Sequence, residues 1–281
     1  MESRILTEEK LKEFAKYLKE AEYAAATIGK YLREIRIFQD WLGDREVSRE
    51  AAAQFKAWLQ GEGFAPVTVN ARLSALNAFF RFAGWEECRV KFLRIQRQLF
   101  RNQSRELTRE EYERLLKSAR EKGKERLALL MEAVCGTGIR VSEVSCITVE
   151  TLRQGRAEVN LKGKIRVIFL PERLCRKLRE YADRQEITSG EIFRTGSGKG
   201  LSRRQIWREM KGLCESAGVE ATKVFPHNLR HLFATAFYQI SRDIVKLADV
   251  LGHSSIETTR IYLRTAGEEH TQVLERMGLV T

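Results

Sequence analysis

Six residues suited to phosphate-ester chemistry are scattered through this chain, each in its own short motif: Arg140, Lys162, His227, Arg230, His253 and Tyr262. Breaking a phosphodiester by nucleophilic attack takes a nucleophile, cations on the phosphate oxygens, a proton for the departing oxygen, and fixed positioning. Arginine fits the second role, because its planar fork binds two oxygens together and stays charged. Histidine titrates near neutrality and suits proton transfer or phosphate binding. A phenol, with an ordinary pKa of about 10, attacks only where cationic neighbours activate it. The set contains every group such a reaction needs.

Local spacing says how these groups are presented. Arg140 lies in Thr137-Gly138-Ile139-Arg140-Val141-Ser142-Glu143, at the start of a predicted helix. Glu143 follows three residues later on the same face, where it could orient the guanidinium. Taken alone, that pair reads as a surface ion pair. His227 and Arg230, at i and i+3, project from one face of a helix whose first turn is set by Pro226. His231, next to Arg230, points elsewhere and reads as structural. Gly252-His253 precedes Ser254-x-x-Glu257, a capping-box pattern, so His253 stands at the mouth of a helix with Tyr262 about two turns along it. A tyrosine on an amphipathic helix is usually core, but Thr258, Thr259, Arg260 and Arg264 make the surroundings of this one polar.

In this order and spacing, the motifs around Arg140, His227-x-x-Arg230 and Leu251-Gly252-His253 with Tyr262 resemble the tyrosine recombinase (phage integrase, Xer-like) family over most of the chain. The resemblance implies that Tyr262 attacks a scissile DNA phosphate, giving a 3′-phosphotyrosine link and a free 5′-hydroxyl. It implies strand exchange through a Holliday junction by a homotetramer on two double-stranded DNA sites, with no metal and no cofactor. It also implies a lysine at a β-hairpin turn as general acid. Here the turn reads Leu161-Lys162-Gly163-Lys164-Ile165-Arg166, one residue shorter than the family's Gly-Lys-Gly-x-Lys-x-Arg. Lys162 is favoured because it precedes the turn glycine, and Lys164 stays open as the alternative. A type IB topoisomerase and a DNA-binding protein with an inactive integrase-like domain are the competing readings. The separate amino-terminal bundle and the presence of all six residues weigh against them.

The elements that must position these groups are mostly helical. Residues 1–95 read as an amino-terminal bundle of four to five helices, SAM-like by resemblance, with 3–4 spacing of Leu11, Phe14 and Leu18, then Ile35, Phe38 and Leu42, Phe55 and Leu59, and Leu73, Leu76 and Phe80. Residues 96–106 read as a basic linker. A capping box at Thr108-Arg109-Glu110-Glu111 opens the catalytic domain, 107–281. Its β signal is confined to Ala157–Leu170, so a small antiparallel sheet is expected among helices at 172–184, 202–216, 227–241, 243–250 and 255–264. Gly136 and Gly138 are read as ending the helix before Arg140. The fold class is therefore mainly α.

With 50 Lys+Arg against 38 Asp+Glu, the net charge is +12, which points to a polyanionic partner. From Cys88 to Arg105 the chain carries basic residues and no acidic ones; Arg94, Arg97, Arg101 and Arg105 form one stripe if the segment is helical. Ser202-Arg203-Arg204-Gln205 opens a helix whose family equivalent enters the major groove, which makes Arg203, Arg204 and Gln205 candidate base contacts. Thr68, Asn70 and Arg72 are weaker candidates. The five cysteines are widely spaced and form no Cys-x-x-Cys pair, which favours free thiols in a reducing compartment. No apolar run reaches the ~20 residues of a membrane span, and no signal-peptide core opens the chain, so a cytoplasmic, nucleoid-associated protein is expected. No separate arm-binding domain precedes the bundle, which favours a simple Xer- or transposon-type enzyme. Residues 267–278 read as a short tail helix that docks on a neighbouring protomer or packs at home.

Overall fold

A computed structural model of the chain describes residues 4–95, 105–161, 164–253, 255–259 and 262. The chain falls into two compact units, Met1–Arg97 and Gln98–Thr281.

The first unit contains α1 (Glu8–Glu20), α2 (Ala25–Leu42), α3 (Arg49–Gly61) and α4 (Pro66–Phe82). Thr7 and Ser48 cap α1 and α3 by accepting from the backbone N–H of Lys10 and Ala51. Pro66 opens α4 where its missing N–H costs nothing. The aromatic residues at helical spacing are core: Phe14, Phe38, Phe55, Phe79 and Phe80 are fully buried, with Phe38 edge-on to Phe55 at 5.0 Å. Each such burial stabilises the unit by about 1.5–3 kcal/mol.

After α4 the chain does not continue as the helix that a basic stripe requires. Residues 90–95 run without helical structure along α4, held there by two asparagines. Asn77 donates to Val90 O (2.9 Å) and accepts from Val90 N (3.1 Å); Asn70 does the same with Leu93 O (2.9 Å) and N (2.8 Å). Those N–H groups would have to bond within the helix for Arg94 to join a stripe. Arg94 is exposed on this strap, while Arg97, Arg101 and most of the expected linker lie outside the described residues.

The second unit begins with α5 (Arg109–Glu121), whose capping box between Thr108 and Glu111 is complete. It continues through α6 (Glu125–Thr137), α7 (Val149–Gln154), β1 (Arg156–Leu161), β2 (Lys164–Phe169) and α8 (Glu172–Arg184). Then come α9 (Arg203–Lys211), α10 (Cys214–Ala217), α11 (Pro226–Ser241), α12 (Ile244–Leu251) and α13 (Ile256–Thr259). The expected helix at 202–216 is thus two helices, with Gly212 closing the first. Gly136 stays inside α6, and Gly138 alone ends it in the left-handed conformation, φ +65°.

The β strands form one antiparallel hairpin in which Ala157 faces Ile168 and Val159 faces Arg166. Strand alternation puts these four residues on the inner face. The opposite face of β2 exposes Ile165, Val167 and Phe169. Buried α6, with Leu130, Met131 and Val134 wholly enclosed, lies against α11 and supports the surface on which the site is built. No helix among the described residues is long and apolar enough to cross a membrane.

Candidate active site

Four chain segments meet at one cluster. The first is the turn after α6. Gly138 takes a positive φ, and a Cβ there would run into the Phe233 ring on α11. The turn leaves Arg140 extended (φ −76°, ψ 148°) as the N-cap of a 3₁₀ turn, Val141–Cys146, with Glu143 in its first turn. Arg140 Nη1 donates to Glu143 Oε1 and its backbone N–H to Oε2, both at 2.8 Å. Its Nη2 donates to Gly252 O at 3.2 Å. Glu143 is 1% exposed, so this is an interior carboxylate holding a half-exposed guanidinium. The surface ion pair that the motif suggests on its own is not what forms.

The second segment is the start of α11. Arg230, 3% exposed, donates through Nη1 to Gly138 O and through Nη2 to Leu251 O (2.7 Å) and His253 Nε2 (3.1 Å). It makes no carboxylate bond among the described residues. Burial, and then the Arg140 charge, lower its pKa to about 10. His227, one turn earlier, keeps an exposed surface, yet partial desolvation and then Arg230 lower its pKa.

The third segment is the turn after α12, where Gly252 closes the helix at φ +62° and aims His253 inward. Arginine has no acceptor, so the contact at His253 Nε2 fixes that nitrogen as the acceptor. The ring proton then sits on Nδ1, which donates to Thr259 Oγ1 at 2.9 Å. Desolvation, then Arg230, Arg140 and Arg166, lower the His253 pKa to about 4. This imidazole is neutral near pH 7.

Tyr262 completes the cluster at 3% exposure, stacked loosely on His253 at 6.1 Å. Its ring also meets His231 at 4.8 Å. His231 therefore does not point elsewhere: one residue past Arg230 on α11, it turns toward the tyrosine, with its Nε2 4.0 Å from Glu106. Helix spacing within α11 could not reveal that contact, because the tyrosine arrives from another segment. Residues 260–261 lie outside the described residues, so the helix expected to reach 264 is seen only to Thr259. The cap expected from Ser254 is likewise outside them; next to it, Ser255 Oγ accepts from Glu257 N.

The fourth segment is β2, and it supplies a residue that sequence reasoning missed. Arg166 Nη2 donates to Glu143 Oε2 (2.5 Å) and Nη1 to Val250 O (2.9 Å). Its strand parity with buried Ile168 was the available signal, since an arginine on an inner face needs a partner. Lys162 and Gly163 lie outside the described residues. Beside the cluster opens a cleft of about 940 Å³, cationic along Arg140 and Arg166, lined also by the neutral His253, and apolar along Ile165, Phe169, Phe233 and Phe237.

Arg105, Arg203, Arg204 and Gln205 are not among the residues that line this cleft. Arg203 and Arg204 are exposed at the start of α9. Gln205 Oε1 is committed to the cap, accepting from Ser202 N (3.0 Å) and Oγ (2.8 Å). Arg105 exposes its side chain while its carbonyl accepts from Asn228. Asn70 is engaged by the strap, and Arg72 pairs with Glu34 and lies 4.1 Å above the Phe64 ring, so neither is open to a base edge. Thr68 is exposed.

Comparison with known proteins is consistent with both units. Residues 11–87 match the phage integrase N-terminal SAM-like domain, and residues 105–269 match the phage integrase family. The tyrosine recombinase XerA of Thermococcus kodakarensis is 32% identical, covering 97% of this chain and 96% of its own. XerA of Pyrococcus furiosus is 31% identical over 100% and 98%. Among solved structures, the XerH site-specific recombinase bound to difH substrate, a pre-cleavage complex, superposes with a TM-score of 0.71 at 22% identity, covering 98% of this chain and 85% of that one.

Proposed function

The chain belongs to the phage integrase family of tyrosine recombinases, and on that premise we propose that it is a site-specific DNA recombinase with Tyr262 as its nucleophile. The observation that carries this reading is the meeting of Arg140, Arg230 and His253 beside Tyr262 from separate parts of the sequence. The phenolic oxygen attacks the scissile phosphorus, its proton leaves, and the bond to the 5′ oxygen breaks. A 3′-phosphotyrosyl ester and a 5′-hydroxyl result, so the bond energy is kept for rejoining and no nucleotide cofactor is consumed.

Arg140 and Arg230 neutralise the phosphate oxygens as negative charge builds in the transition state. His253, neutral and with its Nδ1 proton held by Thr259, donates nothing from Nε2; it steadies Arg230 and walls the tyrosine ring. His227, exposed one turn before Arg230, exchanges a proton with the reacting phosphate. Lys162, or Lys164 in its stead, protonates the leaving oxygen. Glu143 acts through Arg140. This chemistry uses no metal.

Double-stranded DNA is the partner in this reading. A transposon integrase of the same fold solved in complex with circular intermediate DNA and the charge of +12 support it. Arg94, Arg97, Arg101 and Arg105 contact phosphates, while Arg203 and Arg204, with Gln205 behind them, face bases from α9. Two sites are exchanged by a homotetramer through a Holliday junction, with the 267–278 tail joining protomers; integration, excision, inversion and dimer resolution are all outcomes of that one exchange. The enzyme acts in the cytoplasm on nucleoid DNA. Selection from random duplexes supplies the target site, and a nicked suicide version of it should trap a protein–DNA adduct. Absence of adduct, with binding retained, would leave a DNA-binding protein; relaxation of a plasmid lacking the site would make the chain a topoisomerase.

A further inference from the structure

We propose that Arg166 is a positioning residue of this site, keeping the charge of Arg140 available to the scissile phosphate by taking up that of Glu143. The inference rests on the reading of the cluster as a phosphodiester-cleaving site and goes beyond the six residues assigned there.

The geometry begins with what Arg140 leans on. Its guanidinium donates to two acceptors, Glu143 Oε1 and Gly252 O. Arg166 braces both. One of its nitrogens holds the other oxygen of Glu143, and a second donates to Val250 O in the same turn as Gly252. Its aliphatic stem lies so close to the Gly252 Cα that a Cβ there would collide with Cδ. The arginine is 11% exposed and comes from β2, where its pairing with Val159 on β1 sets the position of the strut.

The charge argument is independent of the bracing. Arg140 and Glu143 alone make a neutral pair, and an approaching phosphate would meet a dipole in place of a cation. Charges a few ångströms apart are weakly screened in a partly buried site. With Arg166 added, the carboxylate is shared by two guanidiniums and one positive charge remains. Arg230, bonded to carbonyls and a neutral imidazole, contributes a second. Within this cluster three guanidiniums less one carboxylate leave two net positive charges, against one without Arg166, where a phosphorane formed from a phosphodiester and a phenolate carries two negative charges.

The test compares a phosphodiester with a methylphosphonate at the scissile position, which carries one negative charge fewer. Arg166→Met keeps the stem and removes the charge. On the selected site at saturating protein, its adduct-forming rate should fall by about 10- to 100-fold on the phosphodiester, less than for loss of a donor that touches the phosphate itself, with affinity for DNA unchanged. On the methylphosphonate the same variant should fall behind the wild type by about threefold or less, because less charge needs neutralising. Arg166→Lys should recover most of the phosphodiester rate. An equal loss on both substrates, or no loss on either, would overturn the proposal. If Arg166→Met melts below the assay temperature, Arg166→Gln, neutral but still able to donate to Glu143, gives the same ratio and decides in its place. A wild type that forms no adduct on any site refutes the recombinase reading itself, a distinct outcome.

Discussion

Among the described residues two nearly buried glutamates each meet two arginines, and one of them lies in the cluster around the proposed nucleophile. In the amino-terminal unit Glu34 pairs with Arg33 and Arg72, both at 3.3 Å. There Arg33 is 67% exposed to water and the Arg72 guanidinium is covered by the Phe64 ring. In the second unit Glu143 pairs with Arg140 and Arg166, and a third guanidinium, Arg230, stands beside them bonded to carbonyls and an imidazole. The first cluster disposes of its charge; the second accumulates it. An Arg–Glu–Arg arrangement is therefore a structural device by itself. It becomes an anion site when a further cation has been desolvated without a carboxylate of its own, which costs stability and is tolerated where an anion is to bind.

The contrast breaks most directly at the cations. Arg230→Ala should slow single-turnover cleavage by about 2.7–4 kcal/mol of transition-state stabilisation, and Arg140→Ala comparably. Arg72→Ala should lower stability by about 1–3 kcal/mol and leave the adduct-forming rate of the folded protein alone. Rapid-quench cleavage and thermal melting on the three variants separate these effects, and a slow-cleaving Arg72→Ala would erase the distinction.

Next in size is Gly138→Ala. A residue with a Cβ pays about 1–2 kcal/mol for a left-handed backbone, and this Cβ also meets Phe233. Because Gly138 O receives Arg230 and the turn presents Arg140, cleavage should fall together with the melting temperature. Alanine at Gly155, also at positive φ but with open space around it, should cost stability alone. Smaller still, Thr259→Val removes the acceptor of the His253 Nδ1 proton at similar volume and should slow cleavage by about 0.5–1.5 kcal/mol. Wild-type cleavage in that variant would mean that the tautomer is held some other way.

The smallest effect is on pH. His253 titrates lower in the folded chain than its ordinary 6.5, so folding favours the neutral ring. The corresponding stability is present above pH 6.5 and is lost as pH falls toward about 4. His253→Asn should flatten the acid side of a plot of melting temperature against pH within that window; an unchanged slope would assign the acid sensitivity to other groups.

Much of the fold and part of the cluster could be read along the chain, for local reasons. Pro226 announces the helix that carries His227 and Arg230, Gly252 ends the helix before His253, and Thr108 with Glu111 marks where the second unit begins. Each is a signal spanning a few residues. What escaped depends on distant pairings. Arg166 matters because Val250 and Glu143 meet it from 84 and 23 positions away. His231 faces Tyr262 because α11 and the final segment converge. Arg94 leaves the expected stripe because Asn70 and Asn77 capture the backbone of the strap, and the same bonds withdraw Asn70 from any base-reading role. Spacing reveals a face; it does not reveal what covers that face.

The central claim is that Tyr262 becomes covalently joined to DNA. Incubation of the protein with the nicked suicide duplex, followed by nuclease trimming, proteolysis and mass spectrometry, tests it most directly. The account predicts a nucleotide-modified peptide with the added mass on Tyr262, and no modified peptide from a Tyr262→Phe variant that binds the same site equally well. Modification mapped to any other residue, or adduct persisting in Tyr262→Phe, would contradict it.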